Sequence, residues 1–465
     1  MEKENRRKKQ LRFDEAKSSV RKVEAFIEIV ILALAYYLVW RLLYDTPAMP
    51  SLYGSGKYVL VLVYAFLNTI LFYFCDGFKF GHIKLADVTI SQWISMFIIN
   101  IVTYFQLCLI ANQMISPIPI LILMGVDLIL TFCLSYIFTA IYHAFCIPKQ
   151  MIMIYGNDSA PSLKQKLDTR SDKYQIKRMM SCEEYTFEQI TEAILEYDAV
   201  VINDVDAKVR NDLLKFCYKN SIRTYTVPKI SDVIFSGSDD IMLFDTPLKL
   251  IRGRGLTPSQ RFFKRALDLI LCLIAMIPFS IIMLIIAAAI KLNDGGSVFY
   301  KQKRLTRDGR EFEILKFRSM IENAEADGKP HPATDNDSRI TKVGKVIRAL
   351  RFDELPQLLN ILKGDMSIVG PRPERIEHCV MYGEQIPEFE FRNKVKGGLT
   401  GYAQVYGKYN TTPLDKLKLD LMYIENYSLA LDIKLILMTV RILFKKESTE
   451  GFDKQVGSKE KTAKE

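Results

Sequence analysis

The sequence is short of the residues that build metal clusters and disulfide scaffolds. Its 465 residues include 8 cysteines, no two of them in a C-x-x-C spacing. Cys75, Cys108, Cys133 and Cys272 fall in apolar runs, so neither a zinc site nor a secreted disulfide framework is indicated. Histidine is scarce too. His82, His143, His331 and His378 are scattered, which argues against a histidine metal centre. No cleavable signal peptide is expected, because the first apolar run is too long and no small-residue cleavage site follows it. The turn "YGNDSAP" holds a single glycine, so the dinucleotide-binding pattern G-x-G-x-x-G is missing there.

What is present is an unusual mixture. Hydrophobic residues make up 49% of the chain and charged residues 25%, with a formal net charge of +10. The length predicts two or three units. A basic balance fits nucleic acid, an anionic membrane face or a phosphorylated substrate. Hydropathy favours the last two, so no nucleic-acid partner is expected. Four apolar stretches, 24–44, 58–75, 92–112 and 118–142, are each close to the roughly 20 residues of a membrane-spanning helix. Tyr36, Tyr37, Trp40, Tyr44, Tyr58 and Trp93 stand near their ends as interfacial anchors do. The basic N-terminus "RRKKQLR" belongs in the cytoplasm by the positive-inside rule, and an even number of spans returns the chain there at Pro148. Residues 1–147 thus read as a four-span domain. Asp127, inside the fourth stretch, suits either a functional carboxylate or a helix-packing partner.

From Met151 the pattern alternates short strands with amphipathic helices. Residues 148–228 therefore read as a small parallel α/β, Rossmann-like domain, either a positioning or dimer module or a nucleotide binder. A linker, 229–263, follows. Residues 264–292 are long enough to span, but cations flank both ends and Pro278 sits centrally. These features predict a helix–break–helix hairpin that enters and leaves one leaflet, with Ser280 bonding a freed carbonyl; the alternative is a kinked fifth span. Residues 293–446 are dense in cations, including Lys316, Arg318, Arg348 and Arg351, and 447–465 form a polar tail. Most of the lysines suit an anionic leaflet.

The stretch "RFDELPQLLNILKGDMSIVGPRP" concentrates the chemistry. Leu355, Leu358, Leu359 and Leu362 recur at helical spacing and Gly364 stops the helix, with Pro356 in the first turn. Asp353 is then expected at or next to the N-cap, where it either caps the helix or serves as an ionised nucleophile toward phosphorus. Pro371 and Pro373 stiffen the backbone around Arg372, whose guanidinium suits phosphate oxygens or a structural ion pair.

"KFRSM", "DELPQLLNILKGDMSIVGPRPE" and "GLTGYAQV" together resemble the bacterial sugar transferase family, the monotopic polyprenyl-phosphate phosphoglycosyl transferases. The likeness covers residues 264 to about 444. Four spans plus a small α/β domain resemble the family's long form, which primes capsule, exopolysaccharide and O-antigen synthesis. The implied fold is a four-span helical bundle, a Rossmann-like α/β domain and a mixed, mainly α monotopic catalytic domain with a re-entrant membrane helix. The implied enzyme is a sugar-1-phosphate transferase using a UDP-sugar and undecaprenyl phosphate, with Mg²⁺, at the cytoplasmic face of the bacterial inner membrane, as a homodimer. Carried over to this chain, Asp353 would be the nucleophile, and Glu354 would stand beside it and help hold Mg²⁺. Arg348 and Arg372 would bind phosphate. Lys316 and Arg318 match a K-F-[RK] motif, and Asp420 resembles an acidic position near the site. Two other readings use the same residues: a catalytically degenerate scaffold for polysaccharide assembly, and a phospholipid phosphatase.

Overall fold

The computed structural model describes residues 2–44, 56–145, 148–156, 159–321, 337–408 and 411–443, with side chains from Ser19 onward. His331 and the polar tail 447–465 lie outside the described residues. The chain divides into two compact units, Met1–Lys229 and Ile230–Glu465.

The first unit opens with four long helices, α1 (Glu2–Val39, continued by a π-helical turn, Trp40–Tyr44), α2 (Gly56–Phe74), α3 (Leu85–Ala111) and α4 (Ile118–Phe145). They cover the four apolar stretches. Many large apolar side chains face outward, among them Phe66, Leu109 and Ile129, as a lipid-facing surface requires. The bundle interior is polar in layers. Asp127 accepts hydrogen bonds from Tyr64 (2.7 Å) and Asn100 (3.1 Å), which joins α2, α3 and α4. Gln92 donates to Glu28 (2.8 Å) and accepts from Ser135 (2.7 Å), which joins α1, α3 and α4. Asp127 thus has packing partners on two neighbouring helices.

An α/β fold follows, in the order β1 (Lys149–Tyr155), α5 (Ala160–Asp168), β2 (Tyr174–Ser181), α6 (Phe187–Ile194), β3 (Ala199–Asn203), α7 (Ala207–Lys219), β4 (Arg223–Thr226). All pairings are parallel, in the order β2-β1-β3-β4. Strand alternation divides the core in two. Ile152, Ile154, Val200 and Ile202 pack under α6 and α7, whereas Met151, Met153, Ala199 and Val201 pack under α5. Helices therefore cover both faces, which is why β3 is buried along its whole length.

The second unit runs α8 (Ile230–Ser236), an exposed hairpin β5–β6 (Asp239–Leu243, Thr246–Leu250), α9 (Pro258–Asp294), a second hairpin β7–β8 (Phe299–Leu305, Glu311–Phe317), α10 (Lys342–Ala349), α11 (Gln357–Lys363), β9 (Ser367–Val369), α12 (Ile376–Gln385), β10 (Gly398–Thr400), α13 (Tyr402–Tyr406), α14 (Pro413–Glu425) and α15 (Leu429–Leu443). β9 and β10 form a two-stranded parallel ribbon. It packs closely: a Cβ at Gly370, just past β9, would lie 2.4 Å from the Lys396 carbonyl oxygen.

α9 corrects one expectation. It is a single helix of 37 residues, unbroken at Pro278. Proline removes one i→i−4 hydrogen bond and leaves the remaining turns intact, so the helix continues past it. Ser280 Oγ donates to the Ile277 carbonyl at 3.0 Å, rather than to the Ile274 carbonyl that Pro278 leaves without its usual donor. The halves of α9 on either side of Pro278 pack against the same unit. Cys272, Ala275 and Met276 meet Phe312, Ile314, Leu358 and Ile361; Ile286 and Ile290 meet Phe317 and Ile347. Each buried phenylalanine of this kind contributes about 1.5–3 kcal/mol. Among the described residues, α9 and the α1–α4 segments are the five helices long and apolar enough to cross a membrane.

Candidate active site

The acidic pair lies in a 3₁₀ turn, Phe352–Glu354, between α10 and α11. Arg351 enters this turn in the left-handed region, at φ 59°. That conformation costs about 1–2 kcal/mol for a residue with a Cβ. Hydrogen bonds from Arg351 N–H to the Arg348 carbonyl (3.1 Å) and from Glu354 N–H to the Arg351 carbonyl (3.3 Å) hold it. Phe352 and Leu355 anchor the turn in the cluster of Ile286, Ile290, Phe317 and Ile347. The expected cap is corrected: Pro356 occupies the N-cap position of α11 and no side chain caps that helix. The 3₁₀ turn places Asp353 a full turn ahead of α11, where it makes no cap hydrogen bond to that helix. Gly364 stops α11 at φ 93° as expected.

The two carboxylates stand in different surroundings. Glu354 accepts hydrogen bonds from both Arg372 terminal nitrogens, at 2.6 Å and 3.4 Å, and lies 3.3 Å from Lys316 Nζ. Its side chain is 13% exposed. Burial pushes its acidity toward the neutral form, but Arg372 and Lys316 outweigh that and hold it well below the usual carboxylate range. Asp353 makes no hydrogen bond or ion pair among the described residues. Burial pushes its pKa up and the adjacent Glu354 adds to this, against the pull of Lys316, Arg348 and Arg351. One carboxylate is locked between two cations. Its neighbour keeps its oxygens free inside the same positive field.

Lys316 reaches Glu354 from β8, opposite Tyr300 in the hairpin register. Strand alternation turns the next residue, Phe317, into the core. Burial lowers the Lys316 pKa and Arg372 lowers it further, while Glu354 opposes both. Arg348 is in the last turn of α10 and contributes to the field at Asp353. Arg318 points elsewhere: it is paired with Asp294 at the end of α9.

Arg372 is held from behind. Arg392 donates to the Arg372 carbonyl at 2.8 Å, and Arg304 donates to the Pro373 carbonyl at 3.1 Å. Burial lowers the Arg304 pKa to about 10. Arg392 also pairs with Asp420 at 2.7 Å and lies 3.6 Å from Glu374, whose other partners are Lys416 and, at 3.9 Å, His378. Burial opposes ionisation of Glu374, but Lys416 and Arg392 bring its pKa to about 2. Asp420 is buried behind Arg392, not beside the acidic pair, and burial raises its pKa against the pull of Arg392 and Lys416. Arg304, Glu374, Arg392 and Lys416 carried no assigned role in the sequence. The available signals were Glu374 directly after Pro-Arg-Pro and Lys416 one helical turn before Asp420.

Among the described residues no group of three or more His, Cys, Asp and Glu side chains forms a metal cage. The donors still fit Mg²⁺, which is commonly held by one or two carboxylates and completed by substrate phosphate oxygens and water. Asp353 has its oxygens free for such an ion, whereas Glu354 beside it is engaged by Arg372 and Lys316.

A free carboxylate beside a second one neutralised by lysine and arginine, on a unit with a long apolar helix, is an arrangement suited to an anionic, phosphate-bearing group at a membrane. The bacterial sugar transferase family matches residues 259–446. Over 255 residues the chain is 38% identical to the UDP-N-acetylgalactosamine-undecaprenyl-phosphate N-acetylgalactosaminephosphotransferase of Aeromonas hydrophila, covering 54% of this chain and 59% of that one. Over 260 residues it is 36% identical to the UDP-glucose:undecaprenyl-phosphate glucose-1-phosphate transferase of Klebsiella pneumoniae, covering 55% and 54%. The exopolysaccharide production protein ExoY of Sinorhizobium fredii is 37% identical over 199 residues, 40% of this chain and 87% of that one. The chain belongs to the bacterial sugar transferase family. It spans about half the length of the first two relatives.

Proposed function

We propose that the protein transfers a sugar-1-phosphate from a UDP-sugar to undecaprenyl phosphate, releasing UMP and starting a polysaccharide of the capsule, exopolysaccharide or O-antigen type. The observation that carries this is the free Asp353 carboxylate beside the Arg372–Glu354–Lys316 cluster. A diphosphate is strongly anionic and would repel a bare carboxylate. Arg372, Lys316 and Arg348 offset that charge at the phosphate oxygens. An Asp353 oxygen attacks the β-phosphorus, the bond from that phosphorus to the bridging oxygen breaks, and UMP leaves with the electron pair. The result is an aspartyl phosphosugar. An oxygen of the lipid phosphate then attacks the same phosphorus, the bond to Asp353 breaks, and the carboxylate is restored. Glu354 keeps Arg372 and Lys316 aligned, and Asp353 would contribute to holding Mg²⁺. That ion would supply further neutralisation of the diphosphate.

In the same reading the four N-terminal helices cross the inner membrane, and α9, whose two halves pack on one unit, lies along the cytoplasmic face with both ends exposed there. The parallel α/β fold at 148–228 positions the enzyme or joins two copies in a homodimer. The free Asp353 carboxylate favours an enzyme over a scaffold, and the relatives' names favour a transferase over a phosphatase. The decisive experiment incubates the full chain with a panel of UDP-sugars and undecaprenyl phosphate and measures UMP. Release with at least one sugar, together with a lipid diphosphosugar by mass spectrometry, is the expected result. No UMP with any sugar would leave the scaffold reading. Inorganic phosphate released from a lipid phosphate, without UMP, would leave the phosphatase.

A further inference from the structure

A small cavity opens beside the first turns of α9. Six cationic side chains line it, among them Arg261, Arg265, Arg307 and Lys396, against one carboxylate, Asp268. Some of this charge is already answered. Lys264 pairs with Asp432 at 2.7 Å. The rest is not. Arg265 spends its hydrogen bonds on the neutral carbonyls of Ile361 (2.5 Å) and Leu362 (2.8 Å), at the end of α11. Asp268 is engaged by the Ile368 N–H at 3.0 Å. Lys396 has no ion pair among the described residues. Burial lowers its pKa, and Arg265 and Arg307 beside it lower it further.

A second, independent feature is in the same wall. Ser367 lines the cavity and is fully buried, and its Oγ has no hydrogen-bond partner among the described residues. A buried hydroxyl left without a partner is costly and uncommon. Surplus positive charge and an orphan donor call for the same missing group, an anion with several acceptor oxygens. The cavity volume is about 80 Å³. A water molecule takes about 30 Å³ and a pocket for a drug-sized ligand about 300 Å³ or more. The space suits one tetrahedral oxyanion and excludes a nucleotide sugar.

Its position indicates what carries that anion. Arg261, Lys264 and Arg265 occupy the first polar turns of α9, and an apolar run begins immediately after them. The acidic pair is elsewhere: Ser367 starts β9, and Arg372 follows five residues later, at most about 18 Å away along the chain. We propose that this cavity is a second phosphate site, which takes the phosphate of a membrane lipid whose apolar chain lies along α9. That the lipid is the polyprenyl acceptor rests on the proposed transfer reaction; the phosphate site does not.

The test uses the full chain in neutral detergent micelles. Acetylation of Lys396 by an amine-reactive reagent is followed by peptide mass spectrometry, with farnesyl phosphate, phosphatidylglycerol or diacylglycerol added. Protection by farnesyl phosphate alone assigns the site to an isoprenyl monophosphate. Equal protection by phosphatidylglycerol assigns it to bulk anionic lipid. No protection by either phosphate lipid, or equal protection by diacylglycerol, overturns the proposal. In Arg261→Gln and in Ser367→Ala the half-protecting concentration should rise at least about 10-fold, the loss of one charge-assisted hydrogen bond. If neither variant moves it, the lipid binds elsewhere and the proposal fails. Wild-type protein that shows protection but releases no UMP from any UDP-sugar would refute the transfer reaction while the phosphate site stands.

Discussion

Glu354→Gln should destabilise the second unit far more than Asp353→Asn, although the two residues are adjacent and both changes remove one negative charge. Glu354 is 13% exposed and lies between Arg372, at 2.6 Å and 3.4 Å, and Lys316, at 3.3 Å. Removing its charge leaves two partly buried cations, Arg372 (31% exposed) and Lys316 (20% exposed), facing each other. Breaking a buried ion pair in this way costs about 3–5 kcal/mol. For a unit of this size each kcal/mol lowers Tm by about 2–4 °C, so the expected fall is roughly 6–20 °C. Asp353 has no partner to lose, and its burial raises its pKa. A group with a raised folded pKa weakens the fold once ionised. Asp353→Asn should therefore leave Tm within about 4 °C of wild type, unchanged or slightly higher. The pH dependence separates the two again. Glu354 is held well below the usual range by Arg372 and Lys316, against its burial. Its stabilisation is present above the unfolded pKa, about 4.3, and is lost as pH falls through the folded value. The wild-type advantage over Glu354→Gln should hold at pH 6–8 and shrink below about pH 4. Cys272 is a suitable probe, since it is buried in the second unit whereas Trp40 and Trp93 report on the first. Thermal exposure of the Cys272 thiol, read by peptide mass spectrometry, gives the midpoint. Equal losses in the two variants, or a neutral Glu354→Gln, would refute the division of the pair into a locked and a free carboxylate.

Asp353→Asn should abolish UMP release and lipid product together, and wild type given UDP-sugar without acceptor should accumulate a phosphosugar adduct on the peptide that carries Asp353; an adduct elsewhere would exclude this scheme. The rate should fall as pH drops through the raised Asp353 pKa, above the ordinary aspartate value of about 3.9, and a rate flat across pH 4–7 would count against Asp353 as the attacking group. Excess EDTA should stop turnover and Mg²⁺ should restore it, since phosphate and carboxylate oxygens select a hard ion; undiminished activity in EDTA would remove the metal from the scheme. Thiol labelling of Arg265→Cys and Lys291→Cys should show both ends of α9 open to the cytoplasm, and periplasmic access at residue 291 would make α9 a span.

Hydropathy and strand–helix alternation marked the apolar helices and the parallel sheet because both patterns are local. The site was legible only as far as its residues are neighbours in sequence. Asp353, Glu354 and Arg372 fall within twenty residues of one another, and Lys316 stands in a short motif. Two local details were misread. Capping logic placed Asp353 at the start of α11, but the left-handed Arg351 turns the chain into a separate 3₁₀ turn first. No composition rule announces a left-handed arginine; tertiary anchoring of Phe352 and Leu355 imposes it. Pro278 suggested a break, yet the loss of one hydrogen bond in 37 residues leaves α9 helical. The supports of Arg372 were illegible for a different reason. Arg392 is twenty residues away and Lys416 over forty, and only the folded unit brings them together.

Those supports explain how the unit tolerates so many buried charges. A buried ion is costly alone, so the charges of the site other than Asp353 occur in closed sets. Glu354 is answered by Arg372 and Lys316, Glu374 by Lys416 and Arg392, and Asp420 by Arg392. Arg392 belongs to two of these sets and also grips the Arg372 carbonyl. It therefore fixes where the Arg372 guanidinium lies without touching the substrate space itself. Arg392→Lys would keep a charge for Glu374 and Asp420 but lose the fork that holds three acceptors at once. The damage should consequently appear as weaker binding of the UDP-sugar, with KM raised more than kcat is lowered. Arg372→Lys, which removes the guanidinium itself, should lower both. If Arg392→Lys instead lowers kcat alone at unchanged KM, Arg392 acts in the chemical step and its assignment as a positioning residue is wrong.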